Sequence, residues 1–222
     1  MAMKRTGEMQ SGLNLESGWL GLDFVNTALW HASDSPEESL VDYNALIAWG
    51  QDRRYVDKGT AKVLHRLAVA DSKAAEKVYR RAIDLRESLF HLFAAIAGGK
   101  APSEPDFAIL NDNLPQALSH LRIAPAQRDF AWNWRSEPVL DSPLWPVTWS
   151  AATLLTSREV NRLGICADDR GCGWLYIDLS RNHSRRWCDM NDCGNRNKVR
   201  RYYARHKETG PTVGQGSGIG GG

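Results

Sequence analysis

Four cysteines near the C-terminal end of the chain are the residues whose type and spacing point most directly to chemistry. They form two short-spaced pairs, Cys166 with Cys172 and Cys188 with Cys193, and fifteen residues separate the pairs. Each pair can turn both thiolates toward one ion, and a tetrahedron of four thiolates closes the coordination of a structural zinc. We therefore predict that these four residues bind one structural Zn²⁺.

The segments around the cysteines predict how the thiolates are brought together. Gly173–Asp178 has the composition of a strand, Ser180–Ser184 that of a turn, and Arg185–Trp187 is expected to return as a second strand. The second cysteine pair then opens a helix from about Asp192 to about His206, capped by Asn191 or by Asp192 itself. A knuckle, a hairpin and a helix that carries the last ligand together predict treble-clef geometry.

This C-terminal helix is predicted to be apolar on one side and cationic on the other. Asn195, Val199, Tyr202 and His206 share one face at helical spacing, and we expect that face to pack on the zinc hairpin. A cationic helix fits the major groove of DNA, and basic residues of the hairpin suit phosphate contacts. The predicted DNA contacts are Arg181, Arg185, Arg186, Arg196, Asn197, Lys198, Arg200, Arg201 and Arg205.

The distribution of charge supports a polyanionic partner for the C-terminal part. The span 161–207 has eleven Lys and Arg residues against five Asp residues, a net charge of +6, whereas the whole chain carries only +2 and the remainder therefore −4. We find no apolar run that could span a membrane and no secretory signal, so we expect a cytoplasmic protein. Clustered thiols in that reducing compartment favour metal over disulfides.

The part of the chain before the cysteines is predicted to be mainly helical, which makes the whole protein α+β. Residues 19–27 fit either a short strand or the start of a helix, and Pro115 is expected to kink or shorten the helix that contains it. Ser103 is a plausible cap for that helix. Helices are predicted at Tyr43–Trp49, Thr60–Ala70, Ser72–Ala97, Ser103–Leu121 and Val147–Thr156, with a strand at Phe130–Trp134.

We predict four segments along the chain. Residues 1–12 are expected to be disordered, 13–158 to form a sensor or dimerisation domain, 159–208 the zinc module, and 209–222 a flexible glycine-rich tail. The sensor domain is rich in tryptophan, which favours either core packing or an aromatic pocket. In the alternative with a pocket, a ligand site is lined by Asn26, Arg86, Trp132 and Trp134. Arg86 would then bind an anionic group of the ligand.

Two resemblances add to these expectations. The run CDMNDCGNR at 188–196, with CGWLYID at 172–178 and SRNHSRRW at 180–187, resembles the CGNR zinc-finger family of bacteria over residues 163–207. That resemblance implies a treble-clef-like module with the four cysteines as ligands and a role in transcription regulation. The motifs GLDFVNT at 21–27 and LRESLF at 85–90 resemble the ABATE domain, which implies a stress-induced regulator.

Competing functions remain open at this point. The N-terminal part shows no nucleophile elbow, phosphate loop or metal-binding histidine motif, and four thiolates leave no open position on zinc, so we expect a regulator and not an enzyme. The alternatives to DNA binding are an RNA-binding module and a protein-interaction adaptor. A small-molecule effector and a homodimer are further alternatives that the sequence leaves undecided.

Overall fold

A computed structural model gives the structure of residues 13–126, 129–134 and 137–208. The predictions of a disordered segment at 1–12 and a flexible tail at 209–222 lie outside the described residues. The helices are α1 Leu20–Val25, α2 Tyr43–Asp52, α3 Lys58–Ala70, α4 Ser72–Ala97, α5 Glu104–Ser119, α6 Leu144–Thr156 and α7 Asn195–Glu208, with a 3₁₀ turn at Arg158–Arg162. The strands are β1 Ala28–Leu29, β2 Glu37–Glu38, β3 Leu121–Ala126, β4 Asp129–Trp134, β5 Leu163–Ile165 and β6 Leu175–Ile177.

Side-chain caps define where four of the helices begin. The Asp42 carboxylate accepts a hydrogen bond from the first turn of α2, and the hydroxyl of Ser103, the predicted cap, does the same for α5. Asp57 and Asp71 cap α3 and α4 in the same way. Because each cap satisfies backbone N–H groups that have no partner inside the helix, it fixes the first residue of the helix.

The core of the helical domain forms around α4 and α1. The helix predicted at Ser72–Ala97 is confirmed, and Leu85, Leu89, Leu92 and Phe93 are fully buried on it at helical spacing. Every residue of α1 is buried, which decides the ambiguous segment 19–27 in favour of a helix. A Cβ added at Gly21 would lie 2.8 Å from the backbone nitrogen of Ala151, so only glycine allows α1 to pack this closely on α6.

The structure corrects the prediction for the segment after α5. The helix neither ends nor shortens at Pro115 but continues to Ser119, so the one backbone hydrogen bond that a proline removes does not stop it here. The predicted helix includes Leu121, but in the structure Leu121 is the first residue of a strand, Leu121–Ala126. That strand pairs antiparallel with Asp129–Trp134, so the predicted strand at 130–134 is confirmed together with a partner that its sequence did not indicate.

The sheet near the cysteines also differs from the prediction. Leu175–Ile177 does form a strand, but it pairs antiparallel with Leu163–Ile165 and not with Arg185–Trp187. The predicted returning strand is wrong, because 185–187 is tied down by separate hydrogen bonds and not by a ladder. The amide of Ala167 donates to the carbonyl of Arg186 at 2.8 Å, and the Tyr176 hydroxyl donates to the carbonyl of Arg185 at 2.7 Å.

The chain divides into two compact units, the first ending at Cys188 and the second beginning at Asp189. This division falls well after the domain boundary near residue 158 that the sequence suggests. Within the first unit, β5 packs against α4 and β6 against α1, so these strands belong to the same compact body as the helices. In the described residues, no helix combines the length and the apolar character needed to cross a bilayer.

Candidate metal centre and basic helix

The four cysteine thiols form one cluster. The Sγ atoms of Cys166, Cys172, Cys188 and Cys193 all lie within 4.8 Å of one another, and Cys166 and Cys193 are buried. The Sγ atoms of Cys172 and Cys188 are 3.7 Å apart. Four sulfurs bound to one zinc at about 2.3 Å would lie about 3.8 Å apart at the corners of a tetrahedron. The donor set and its spacing therefore fit one closed, structural zinc ion.

The crowding of the thiols changes their acidity. Hydrogen bonds from Cys172 and Cys188 lower the pKa of the Cys166 thiol, and the contact with Cys166 raises the pKa of Cys172. Hydrogen bonding among the crowded thiols therefore favours the thiolate form of Cys166. A bound Zn²⁺ deprotonates its thiol ligands, and it would supply the positive charge that the cluster needs.

A tight knuckle presents Cys166 and Cys172. The amide of Cys166 donates to the carbonyl of Trp174 at 2.9 Å, and the amide of Gly171 donates to the carbonyl of Asp168 at 3.1 Å. The buried carboxylate of Asp168 forms an ion pair with Arg170 at 3.0 Å. These local contacts determine the path of the five-residue loop between the two ligands.

This knuckle lies directly on the loop at residues 30–33. The amide of Ala32 donates to the carbonyl of Gly171 at 3.1 Å, and the guanidinium of Arg170 lies 5.0 Å above the ring of Trp30. Gly171 has a φ of +86°, and a Cβ added there would come within 2.5 Å of the backbone of Ser33. Any residue other than glycine would therefore be strained and would clash, so Gly171 is what allows this close approach.

The structure gives two of the predicted pocket residues other roles. The side-chain amide of Asn26 is buried and makes two hydrogen bonds with the backbone of Leu175, donating to its carbonyl and accepting from its amide, each at 2.9 Å. Arg86 is buried and donates to both carboxylate oxygens of Glu38 at 2.6 Å and to Glu87. The Arg86 guanidinium is thus occupied by protein carboxylates and is not available as an anion clamp.

Glu87 extends this charged network toward the knuckle. Its carboxylate accepts from Arg86 and lies 2.7 Å from Nε2 of His31, whose ring stacks on Phe90. Burial of Glu87 raises the pKa of its carboxyl. The hydrogen bond with His31 and the charge of Arg86 outweigh that effect and lower the pKa to about 2. Glu87 therefore stays ionised at neutral pH, and its contact with His31 ties the loop at residues 30–33 to α4.

The other two predicted pocket residues lie elsewhere. Trp132 and Trp134 are on β4 and line a cavity of about 210 Å³ whose lining includes neither Asn26 nor Arg86. This cavity therefore does not bring the four predicted residues together. Sequence reasoning missed Tyr55 and Trp149, which do line this cavity, because nothing in their local sequence connects them with β4.

The three arginines between Asp178 and Cys188 are exposed but differ in their contacts. Arg185 lies over the ring of Tyr176 at 4.2 Å and donates to the carbonyl of Trp187 at 2.9 Å, so its main contacts stabilise the cysteine-bearing segment. Arg186 lies over the ring of Trp187. Arg181 is exposed at the turn that includes His183, whose φ is +49°.

The second unit begins with a cap that differs from the predicted one. The carboxylate of Asp189 accepts from the amides of Asn191 and Asp192 at 2.6 and 3.0 Å, so Asp189 and not Asn191 or Asp192 caps this element. A π-helical turn follows at Met190–Gly194 and leads directly into α7. This turn places Cys193 just before the first residue of α7.

The motif Cys-Gly-Asn-Arg at 193–196 is held by contacts within this turn. The guanidinium of Arg196 donates to Sγ of Cys193 at 2.9 Å and pairs with Asp192 at 2.5 Å. The side-chain amide of Asn195 donates to the carbonyl of Asn191 at 3.0 Å. Arg196, a predicted DNA contact, is thus placed so that it positions a zinc ligand.

Helix α7 turns a different face outward from the one that its sequence suggests. Val199 and Tyr202, predicted to pack inward, are each 53% exposed, whereas Asn197, a predicted DNA contact, is buried. The prediction of the packed face is therefore wrong. The exposed aromatic side chains contact one another, since the rings of Tyr202 and His206 are 3.9 Å apart. Lys198, Arg201 and Arg205 are exposed, as predicted, and Arg200 is partly buried.

Comparison with known families agrees with this arrangement. Residues 18–158 match the ABATE family, described as "Putative stress-induced transcription regulator", and residues 162–206 match the family described as "CGNR zinc finger". The chain belongs to the ABATE family. Both predicted resemblances are confirmed, and the zinc-finger match includes all four cysteines of the ABATE protein. No curated protein matches the chain.

The confirmed family and the cysteine cluster together define the metal centre. This ABATE protein carries a CGNR zinc finger in which Cys166, Cys172, Cys188 and Cys193 can hold one zinc ion. Because all four positions around the metal are filled by thiolates, the ion stabilises structure and has no position open for a substrate. The ABATE match supports a regulator of transcription.

Proposed function

We propose that this protein is a bacterial transcription regulator that binds double-stranded DNA through helix α7. The observation that carries the proposal is the exposed cationic surface of α7, made by Lys198, Arg201 and Arg205. From Asn195 to Lys207 the chain has no acidic residue, so Lys198 and Arg201 have no acid three or four positions away on α7 with which to pair. A zinc-supported helix of this charge suits phosphate contacts and entry into the major groove.

The arginines of the first unit extend the proposal. Arg181 and Arg186 are exposed and would serve as phosphate contacts, whereas Arg185 and Arg196 have positioning roles in the structure. Asn197 is buried and is left out of the proposed surface. Sequence readout would then depend mainly on Arg200, Arg201 and Arg205, since a guanidinium recognises guanine with two hydrogen bonds. The protein would act in the cytoplasm, with the ABATE domain sensing a small molecule.

One observation favours a second candidate, binding of single-stranded nucleic acid. Tyr202 and Tyr203 are exposed on α7, where bases could stack on them. RNA-binding modules of the single-strand type use aromatic side chains in this way. Double-stranded DNA remains the first proposal, because the two rings are nearly perpendicular, at 79°, and so present no common face on which successive bases could stack.

The test measures binding of the zinc-loaded full chain to random 30-base-pair DNA by fluorescence anisotropy. We expect the double variant Arg201→Ala/Arg205→Ala to weaken binding at low salt and to reduce the salt slope by about two. The matched control, Lys62→Ala/Arg66→Ala, removes two exposed charges from α3. Equal losses in both variants would reject α7 as the DNA-binding element, and tighter binding to single strands would favour the second candidate.

A further inference from the structure

The hairpin β3–β4 brings tryptophan side chains over helix α6. Trp132 and Trp134 are two residues apart on β4 and therefore share one face, while Trp145 and Trp149 are four apart on α6 and share one side of that helix. The rings meet in two pairs, Trp132 with Trp149 and Trp134 with Trp145, each with ring centroids 6.2 Å apart. The indoles form a ladder between hairpin and helix.

A cavity of about 210 Å³ lies beside this ladder. Trp132, Trp134 and Trp149 line it together with Tyr55 and Pro146, and its lining contains no charged side chain. Trp132 is 48% exposed, so this indole reaches both the cavity and solvent. The lining also includes Asn133 and Ser150, so it is uncharged but partly polar. A half-exposed indole beside this cavity gives a ligand both a route of entry and a surface on which to stack.

The lining selects the chemistry of the ligand. Burying a charged group in a cavity that offers it no ionic partner is costly, so an uncharged molecule is favoured. Flat aromatic faces favour a flat aromatic partner, and the stacking of His120 on Trp145 at 3.8 Å shows this packing already in the neighbouring part of the cluster. A cavity of about 150 Å³ holds a benzene molecule, so the space here suits one substituted ring.

We propose that this tryptophan cavity, defined by Tyr55, Trp132, Trp134, Pro146 and Trp149, binds a neutral small molecule with a single aromatic ring. The proposal rests on the ligand-sensing role suggested for the ABATE domain, to which it gives a site and a ligand class. It replaces the grouping of Asn26 and Arg86 with the two tryptophans, because those two side chains already have protein partners. Binding of the ligand would join the hairpin more firmly to α6.

The experiment compares three probes that share a ring and differ in charge: benzyl alcohol, benzoate and benzyltrimethylammonium. Binding of each to the zinc-loaded full chain is measured by isothermal titration calorimetry and by the shift in melting temperature. We expect benzyl alcohol to bind at least tenfold more tightly than the two ions. Failure of all three probes to bind would overturn the site, and tighter binding of either ion would overturn the neutral ligand class.

Variants of the lining residues test whether the ligand binds in the cavity. We expect Trp132→Ala to lose about tenfold in affinity for benzyl alcohol, because one stacking face is removed. Phe130→Ala is the matched control, since Phe130 is an exposed aromatic residue of the same strand outside the lining. Should Trp132→Ala disturb the hairpin, Trp149→Phe tests the same cavity from α6 and should also weaken binding. Equal affinity in the Trp132, Trp149 and Phe130 variants would overturn the assignment.

None of these measurements contains DNA. Absence of ligand binding therefore rejects the cavity and leaves DNA binding by α7 untouched. Conversely, a protein that ignores DNA but binds benzyl alcohol would reject the proposed function of α7 and retain the site.

Discussion

The two parts of the zinc finger are stabilised in different ways. The segment that carries Cys166, Cys172 and Cys188 belongs to the same compact unit as the ABATE helices, and its knuckle lies on the loop at 30–33 through Gly171. The segment from Asp189 onward, with Cys193 and α7, is a unit of its own, held by the Asp189 cap and by Arg196. Three ligands are thus positioned by the larger domain, whereas the fourth depends on a short local motif. We therefore expect zinc to contribute most to the stability of the unit from Asp189 onward, which has fewer other contacts.

Removal of zinc should give the largest difference between the two parts. A helix of fourteen residues is only marginally stable in water by itself, so we expect α7 to lose its amide protection when a chelator removes the metal. The amides of β5 and β6 should keep theirs, because these strands pack on α1 and α4. Hydrogen exchange with and without chelator measures both. Loss of protection in β5 and β6 together with α7 would show that the two parts are not stabilised independently.

Gly171→Ala should destabilise the part of the zinc finger that belongs to the first unit. The added methyl group would meet the backbone of Ser33 at 2.5 Å in a residue whose φ is +86°, so we expect a loss of about 4 kcal/mol in the free energy of unfolding. Gly99→Ala is the control, because Gly99 has a φ of +65° but open space around it. It should cost only the backbone strain, about 1 kcal/mol. Urea unfolding of the two variants gives both values, and equal costs would argue against a tight contact at the knuckle.

Asn26→Leu should destabilise the same part of the zinc finger, because Asn26, directly after α1, holds β6. It leaves both backbone groups of Leu175 without their partner in a buried site, and we expect a loss of about 3 kcal/mol. Asn113→Leu provides the comparison, since Asn113 is equally buried but donates only one hydrogen bond, to a carbonyl of its own helix. Its cost should be clearly smaller. If the two variants unfold at the same urea concentration, Asn26 does not tie β6 to the helical domain.

Arg196→Met should have the smallest effect and should act on the second part alone. Without the guanidinium beside Sγ of Cys193, we expect the affinity for zinc to fall about tenfold, as in other sites whose ligands lose a hydrogen-bonding neighbour. Competition with a chelator measures this affinity. Arg201→Met, an exposed change on the same helix, should leave zinc binding unchanged. The same fall in both variants would attribute the effect to general charge and not to the contact with Cys193.

The sequence predicts those features that depend on short-range spacing. The zinc ligands follow from two cysteine pairs, and α4 runs from Ser72 to Ala97 as predicted, because its apolar stripe is continuous and Gly98 follows it. Periodicity shows which residues share a face of a helix but not which face is covered, so Val199 and Tyr202 were assigned to the wrong side of α7. The groups formed by Asn26 with Leu175, and by Trp132 with Trp149, join residues far apart in the chain, which only tertiary structure reveals.

The salt dependence of DNA binding tests the central claim most directly. For the zinc-loaded full chain and random duplex DNA, the logarithm of the affinity should fall linearly with the logarithm of the salt concentration. The slope should be about −4 if α7 together with Arg181 and Arg186 neutralises about four to five phosphates. Removal of zinc should abolish this binding. A slope near zero, or an affinity that does not change when zinc is removed, would contradict a zinc-supported cationic helix as the DNA-binding element.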